Sequence, residues 1–147
     1  MSAFDAKYEP SPWEPIAQEV ERYERSGGSD PSDLVGEDWM ILWTIGARSG
    51  NVRKTPLVRV TDGAGNYAIF GSMGGAPNNP QWVHNVRSRP IARVQDGAEV
   101  VDLAVREVDG DEKAEWWARG MAVWPDYDSY QAATDRVIPV FVLEPQG

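Results

Sequence analysis

The sequence predicts an α+β fold, a small barrel or curled sheet of mostly antiparallel strands with flanking helices, one ahead of it and two or three inserted before the last strand. Three observations carry this. From "DWMILWTIG" onward the chain is rich in β-branched and aromatic residues, in short runs separated by turn signals. Two of those signals, "DGAGN" and Asp96-Gly97, are of the kind that closes hairpins. The regular strand and helix alternation needed for a doubly wound parallel sheet is missing, and the clearest helical patterns fall at the start and late in the chain.

Taken in order, residues 12–25 place Trp13, Ile16, Val20 and Tyr23 at near-helical spacing, which predicts an amphipathic helix. "SGGSDPSD" then reads as a flexible connector, so that residues 1–34 form an N-terminal helix and linker ahead of a barrel domain over 35–147. Strands are expected near 39–45, 54–61 and 66–71. "GGAPNNP" is a loop whose Asn79 is placed to cap a short helix with Pro80 at its first position. "IARVQ" and "EVVDLAVREV" flank Asp96-Gly97 as a hairpin. The stripe Ala114, Trp117, Met121 and Trp124 predicts a helix over "GDEKAEWWARGMAVW", and "DYDSYQAA" a second short one. The final run "VIPVFVLEP" is a buried strand whose Pro139 predicts an edge or a bulge.

Length and composition restrict the chemistry. A chain of 147 residues is most simply one core. Zero Cys excludes disulfides, thiolate metal sites and a thiol nucleophile, and a single His removes most remaining metal and triad chemistry. No run approaches a membrane span, and "MSAFDAKYEP" lacks the basic and apolar regions of a secretory signal, so a cytoplasmic location is expected.

The charge distribution says more than its sum of -9. Residues 1–39 carry a net -7 and residues 96–147 a net -8. Between them Arg48, Arg53, Lys54, Arg59, Arg87, Arg89 and Arg93 stand against Asp62 alone, a net +6. An acidic protein with a basic middle is repelled by long nucleic acids but can focus positive potential in one cleft, which favours a small polyanionic ligand.

Two glycine loops offer a place for it. In "GARSGNVRKTPL" Gly46 and Gly50 permit positive φ, so that amides can form an anion-binding nest beside Arg48, Ser49 and Arg53. In "GSMGGAPNNPQW" paired glycines and Ser72 precede a helix start at Pro80. Neither loop matches a phosphate-loop or dinucleotide pattern, and serine-hydrolase "GxSxG" is absent. His84 reads as satisfied or solvent-facing rather than catalytic. Trp116, Trp117 and Trp124 read as core residues or, with Tyr127 and Tyr130, as the wall of an apolar pocket for a planar ligand.

"TIGARSGNVRKTPL", "DGAGNYAIFGSMGG", "NPQWVHNV" and "YDSYQAATDRVIPVFVLEP", in that order over about residues 35–145, resemble the deazaflavin-dependent nitroreductase family. The resemblance implies a split β-barrel of the flavin-reductase-like kind and coenzyme F420 as cofactor. It implies that Arg48, Ser49, Gly50 and Arg53 hold the cofactor's phosphate and polyglutamate tail, with Ala47 where the family has another arginine. Pro56 and Leu57 match a segment lining the deazaflavin. Ser72, Met73, Gly74 and Gly75 correspond to a family "S-K-G-G", Met73 replacing the lysine. Asn79, Pro80, Trp82 and Asn85 match an N-P-x-W-x-x-N signature, and Trp124, Tyr127 and Tyr130 fall at substrate-side aromatic positions.

The activity implied is hydride transfer from the reduced deazaflavin to an electron-poor planar acceptor: a quinone, an α,β-unsaturated ester or lactone, or a nitroaromatic. Ser72, Tyr127 or Tyr130 would hydrogen-bond the oxygen on which charge develops, with no metal involved. A flavin mononucleotide enzyme on a similar barrel and a non-catalytic deazaflavin carrier would use the same loops. Glu14, Glu19, Glu21 and Glu24 argue against anionic lipid for the N-terminal helix, leaving at most peripheral membrane contact; packing on the barrel or over the pocket is its expected use.

Overall fold

The computed structural model describes residues 2–36 and 38–145. Seven strands form one sheet: β1 (Trp39–Ile45), β2 (Val52–Val58), β3 (Val60–Thr61), β4 (Tyr67–Phe70), β5 (Ile91–Asp96), β6 (Glu99–Val108) and β7 (Val140–Pro145). Every pairing is antiparallel, in the order β2-β1-β5-β6-β7-β4-β3. The two edge strands, β2 and β3, are separated in the chain by Arg59 alone. A single residue cannot cross a flat seven-stranded sheet, so the sheet curls until its edges meet. The expected strand over 54–61 is therefore two strands, one on each edge. Arg59 secures the seam: its amide donates to Asp38 O (2.8 Å) and its Nε to Asp96 Oδ1 (2.8 Å).

The apolar strands are covered on both faces. Met40 and Leu42, Tyr67 and Ile69, and Phe141 and Leu143 pack together with Trp82, Val83 and Val86 of α2 (Gln81–Ser88). Alternate residues face the other way: Ala68, Phe70, Val140 and Val142 meet α3 (Gly110–Val123) and α4 (Tyr127–Ala132), while Trp39 and Ile41 meet Val20 and Tyr23 of α1 (Glu14–Ser26). Two-sided burial is why "WMILWTI" and "VFVL" read as continuous apolar runs rather than alternating ones. No helix among the described residues is long and apolar enough to cross a membrane.

Three further expectations need correction. β7 lies between β6 and β4, not at an edge, and Pro139 precedes it; its carbonyl, not its missing N–H, is used, accepting from Gly71 N at 2.9 Å. Pro80 is the N-cap of α2, with no side-chain cap, because the Asn79 carbonyl is taken by Arg136. On α3 the buried residues are Trp116 and Gly120, while Ala114 is exposed. A Cβ on Gly120 would stand 2.6 Å from the Phe70 ring, so Gly120 and Trp116 make the closest approach to the sheet, while Trp117, Met121 and Trp124 of the expected stripe pack half-buried against the same core and only Ala114 faces away.

The N-terminal segment is joined to the barrel at several points. Residues 7–9 pair with the start of β2, Val52 N donating to Lys7 O (2.7 Å) and Glu9 N to Val52 O (2.8 Å). α1 ends at Gly27, which is left-handed at φ 66°, and Tyr23 Oη accepts from Gly97 N at 2.6 Å in the β5–β6 hairpin. Over residues 32–36, Glu19 Oε1 accepts from Ser32 Oγ (2.7 Å), Asp33 N (2.7 Å) and Leu34 N (3.2 Å).

Candidate functional site

Two cavities lie side by side between the β1–β2 turn, α2 and the aromatic residues beyond α3. The first, of about 590 Å³, is walled by Pro56, Leu57 and Val58 of β2, Phe70, Ser72, Met73 and Gly74 after β4, Trp82 of α2, and Trp124, Tyr127 and Tyr130. The second, of about 600 Å³, is walled by Gly46, Ala47, Arg48 and Ser49 of the turn, with Glu9 and His84. Arg53, Gln81 and Asn85 belong to both, so the apolar cavity adjoins the cationic one.

The turn between β1 and β2 is closed on itself. Gly46 N donates to Asn51 O (2.8 Å), Gly50 N to Gly46 O (3.0 Å) and Asn51 N to Ser49 Oγ (3.1 Å). Only one of its glycines is there for its backbone angle: Gly50 has φ 72°. Gly46 has an ordinary φ and is glycine for space, since a Cβ there would stand 2.6 Å from Ser49 Oγ. From below, buried Asn85 ties the turn to the sheet, its Oδ1 accepting from Ala47 N (3.0 Å) and its Nδ2 donating to Thr44 Oγ1 (3.1 Å). The amide of Asn85 is thus spent on the protein, which makes it a support of the cationic cavity.

The second glycine loop has a different architect. Arg136 donates from Nε to Ala76 O (2.8 Å), from Nη1 to Gly71 O (2.9 Å) and Asn79 Oδ1 (2.8 Å), and from Nη2 to Ser72 O (2.8 Å). Four acceptors on one guanidinium hold three successive residues with positive φ: Met73 (44°), Gly74 (65°) and Gly75 (82°). A non-glycine residue in that region is strained and persists only where its surroundings over-determine it. Met73 is 60% exposed at the cavity's edge, as are Trp13 (58%) and Leu34 (37%).

The aromatic wall is ordered. Phe70 and Tyr127 stack at 4.5 Å with their rings 8° apart, and Tyr130 meets Tyr127 edge-on at 6.3 Å. Burial pushes the Tyr127 phenol well above the ordinary tyrosine range, so it stays protonated. Tyr130 Oη accepts from Trp124 Nε1 at 3.2 Å, which leaves its own proton for a further acceptor. Trp116 is buried against the sheet and Trp124 lines the cavity, so the two readings of the tryptophans divide between them.

The charges change meaning in three dimensions. Of the seven cations over 40–95, five pair with acids from elsewhere: Arg53 with Glu9 (3.3 Å), Lys54 with Glu24 (2.8 Å), Arg59 with Asp96 (2.8 Å), Arg87 with Glu107 (2.9 Å) and Arg93 with Asp102 (2.6 Å). Among the described residues Arg48 and Arg89 have no ion pair, and Arg89 Nη2 would lie 4.0 Å from a Cβ on Gly50. Positive potential is concentrated at the turn, by fewer groups than the charge count implied.

Of the seventeen residues that the resemblance assigns to cofactor, substrate or catalysis, fourteen line one or both cavities; Gly50, Gly75 and Asn79 stand behind them and shape the loops. Ser11, Trp13, Ile16, Leu34 and Val35 of the N-terminal segment wall the first cavity, in line with the expectation that this segment packs on the barrel or over the pocket. Sequence reading missed Arg136 and Glu9, and neither carries a short-range signal, because each acts on a partner remote in the chain.

An aromatic cavity joined to a cationic one fits a cofactor with a flat ring system at one end and anionic groups at the other. A family profile described as F420H(2)-dependent quinone reductase matches residues 16–145. The chain belongs to this family. Its cofactor is coenzyme F420, and it is an oxidoreductase. It is 33% identical over 107 residues to an F420H(2)-dependent quinone reductase of Mycobacterium tuberculosis, covering 71% of each chain. Among solved structures it is similar to an F420-H2 dependent reductase (TM-score 0.69, 42% identity, 73% of this chain and 94% of that one). It is likewise similar to a protein described as a domain-swapped dimer (TM-score 0.71, 38% identity, 91% of this chain and 100% of the other). The curled antiparallel sheet with flanking helices is the fold expected from the resemblance.

Proposed function

We propose that this F420-dependent reductase acts on an electron-poor planar acceptor of the quinone type, bound in the aromatic cavity, with the anionic end of the cofactor in the cationic one. The single observation that carries the reading is the shared wall of Arg53, Gln81 and Asn85, which sets two chemically opposite cavities side by side. Arg48 and Arg53 would hold phosphate and carboxylate groups through charge-assisted hydrogen bonds, with Ser49 beside them. Pro56, Leu57, Met73, Gly74, Pro80 and Trp82 would flank the ring. When bound, the reduced cofactor supplies the hydride.

The chain's own part is position and proton. Trp124, Tyr127 and Tyr130 confine a flat acceptor against the ring-binding side. Tyr130, whose oxygen already accepts from Trp124, is placed to donate its proton toward an acceptor oxygen that gains negative charge. Tyr127 is a second neutral donor, and Ser72, buried at the cavity wall, a third. We place the protein in the cytoplasm, with small molecules rather than nucleic acid as its ligands.

The test is a titration with F420 and, in parallel, with flavin mononucleotide, followed by tryptophan fluorescence, then oxidation of reduced F420 by quinones, enones and nitroaromatics. Saturable binding of F420 with turnover of a quinone supports the reading. Binding without turnover of any acceptor makes the protein a carrier, and binding of the flavin alone rewrites the hydride donor.

A further inference from the structure

Arg53 is the cation common to both cavities, and it is occupied. Its Nη1 lies 3.3 Å from Glu9 Oε2, while Glu9 Oε1 accepts from Asn51 Nδ2 at 3.1 Å. The carboxylate is held there by backbone as well as by charge, because Glu9 N donates to Val52 O at 2.8 Å. Glu9 also lines the cationic cavity, beside Arg48. It precedes residue 16, where the match to the family profile begins.

Building on the proposed placement of the cofactor, we propose that Glu9 is a specificity-determining residue of the cofactor site. Its carboxylate, seated on Arg53, competes with the anionic end of F420 and biases the protein toward cofactor forms with fewer charges there. The cationic cavity holds Arg48 and Arg53 against Glu9, a residual charge of one, with Arg89 near the turn. A first anionic group on the ligand meets a net attraction; further ones meet a site already neutralised. Glu9 and Arg53 are both partly exposed, 43% and 25% at their side chains, so the pair is of ordinary surface strength. Breaking it lowers the apparent affinity by at most about fivefold, and direct repulsion between the remaining carboxylate and the ligand adds to this.

The test is a fluorescence titration of the full chain and of Glu9→Gln with short-tailed and long-tailed F420, at low and high salt. Trp82 and Trp124 in the cavity wall are the reporters. Glu9→Gln is expected to bind about two- to tenfold more tightly at low salt, more so for the longer tail, with the gain shrinking as salt screens it. Glu107→Gln, which removes the same charge from the Arg87 pair outside both cavities, is expected to leave the affinity unchanged. Inorganic pyrophosphate, titrated as a competitor, should show a lower inhibition constant on Glu9→Gln once each protein's own F420 affinity is taken into account. Equal or weaker binding by Glu9→Gln overturns the inference, since Glu9 would then orient Arg53 rather than compete for it. Failure of both proteins to bind F420 overturns the placement on which the inference rests, a result distinct from equal binding.

Discussion

The two glycine loops look alike in sequence and do opposite work. The turn over 46–51 closes with its own hydrogen bonds and leaves Arg48 exposed and Arg53 at a cavity wall. The loop over 71–79 has no cation of its own and is held by one that enters from residue 136. On the proposed placement of the cofactor, the first supplies charge to a ligand. The second consumes charge to fix a shape, three left-handed residues in a row at the edge of the aromatic cavity. Glycine in a loop therefore signals an unusual backbone, whereas the direction in which neighbouring donors are spent decides whether that backbone binds anything.

The sharpest way to break this comparison is Arg136→Ala. It strands four acceptors, three of them backbone carbonyls, and is expected to cost about 2–4 kcal/mol in denaturant unfolding, with turnover falling more than F420 affinity. If affinity falls and turnover survives, the second loop binds charge after all. Arg53→Ala reverses that pattern: stability is expected to change by less than about 1 kcal/mol, while F420 affinity falls about 10- to 100-fold with a shallower salt dependence. Asn85→Ala lies between them. It removes two hydrogen bonds under the first turn, for about 1–3 kcal/mol of stability, and loosens F420 binding only through the turn it supports.

Smaller effects separate the residues near the chemistry from those that only look electrostatic. Tyr130→Phe is expected to keep stability within about 1 kcal/mol, because only the bond from Trp124 is lost, and to lower kcat about tenfold at unchanged F420 affinity. Intact turnover in that variant would shift the proton to Tyr127 or Ser72. Arg87→Ala should be nearly silent, within about 0.5 kcal/mol and with unaltered affinity, since its partner Glu107 is an exposed surface acid. A measurable loss of F420 binding there would restore the idea that the whole basic middle of the chain serves the ligand.

That idea was legible in the sequence and only partly right. Arg53 and Glu9 are 44 residues apart, Arg59 and Asp96 are 37, Lys54 and Glu24 are 30, and Arg87 and Glu107 are 20. A window along the chain sees a cluster of one sign because the neutralising acids come from both flanks. Strand and hairpin positions were readable for a different reason. The β5–β6 hairpin at Asp96-Gly97 and the apolar runs of β1 and β7 depend on residues next to one another, and the structure places them within a few residues of where the pattern does. The exceptions, Pro139 and the buried face of α3, turn on a neighbour brought in by the fold: Gly71 for the one, the Phe70 ring for the other.

By itself the sequence determined the antiparallel strands, their turns, the two glycine loops and the aromatic residues near the C-terminus. Each of these is set by backbone freedom or periodicity over a handful of residues. Only the tertiary structure decided that the sheet curls until β2 and β3 meet at Arg59, that Arg136 holds the loop over 71–79, and that Glu9 sits on Arg53. Hydrogen bonds and ion pairs act through distance in space, and closing the sheet brings together groups for which chain separation carries no information.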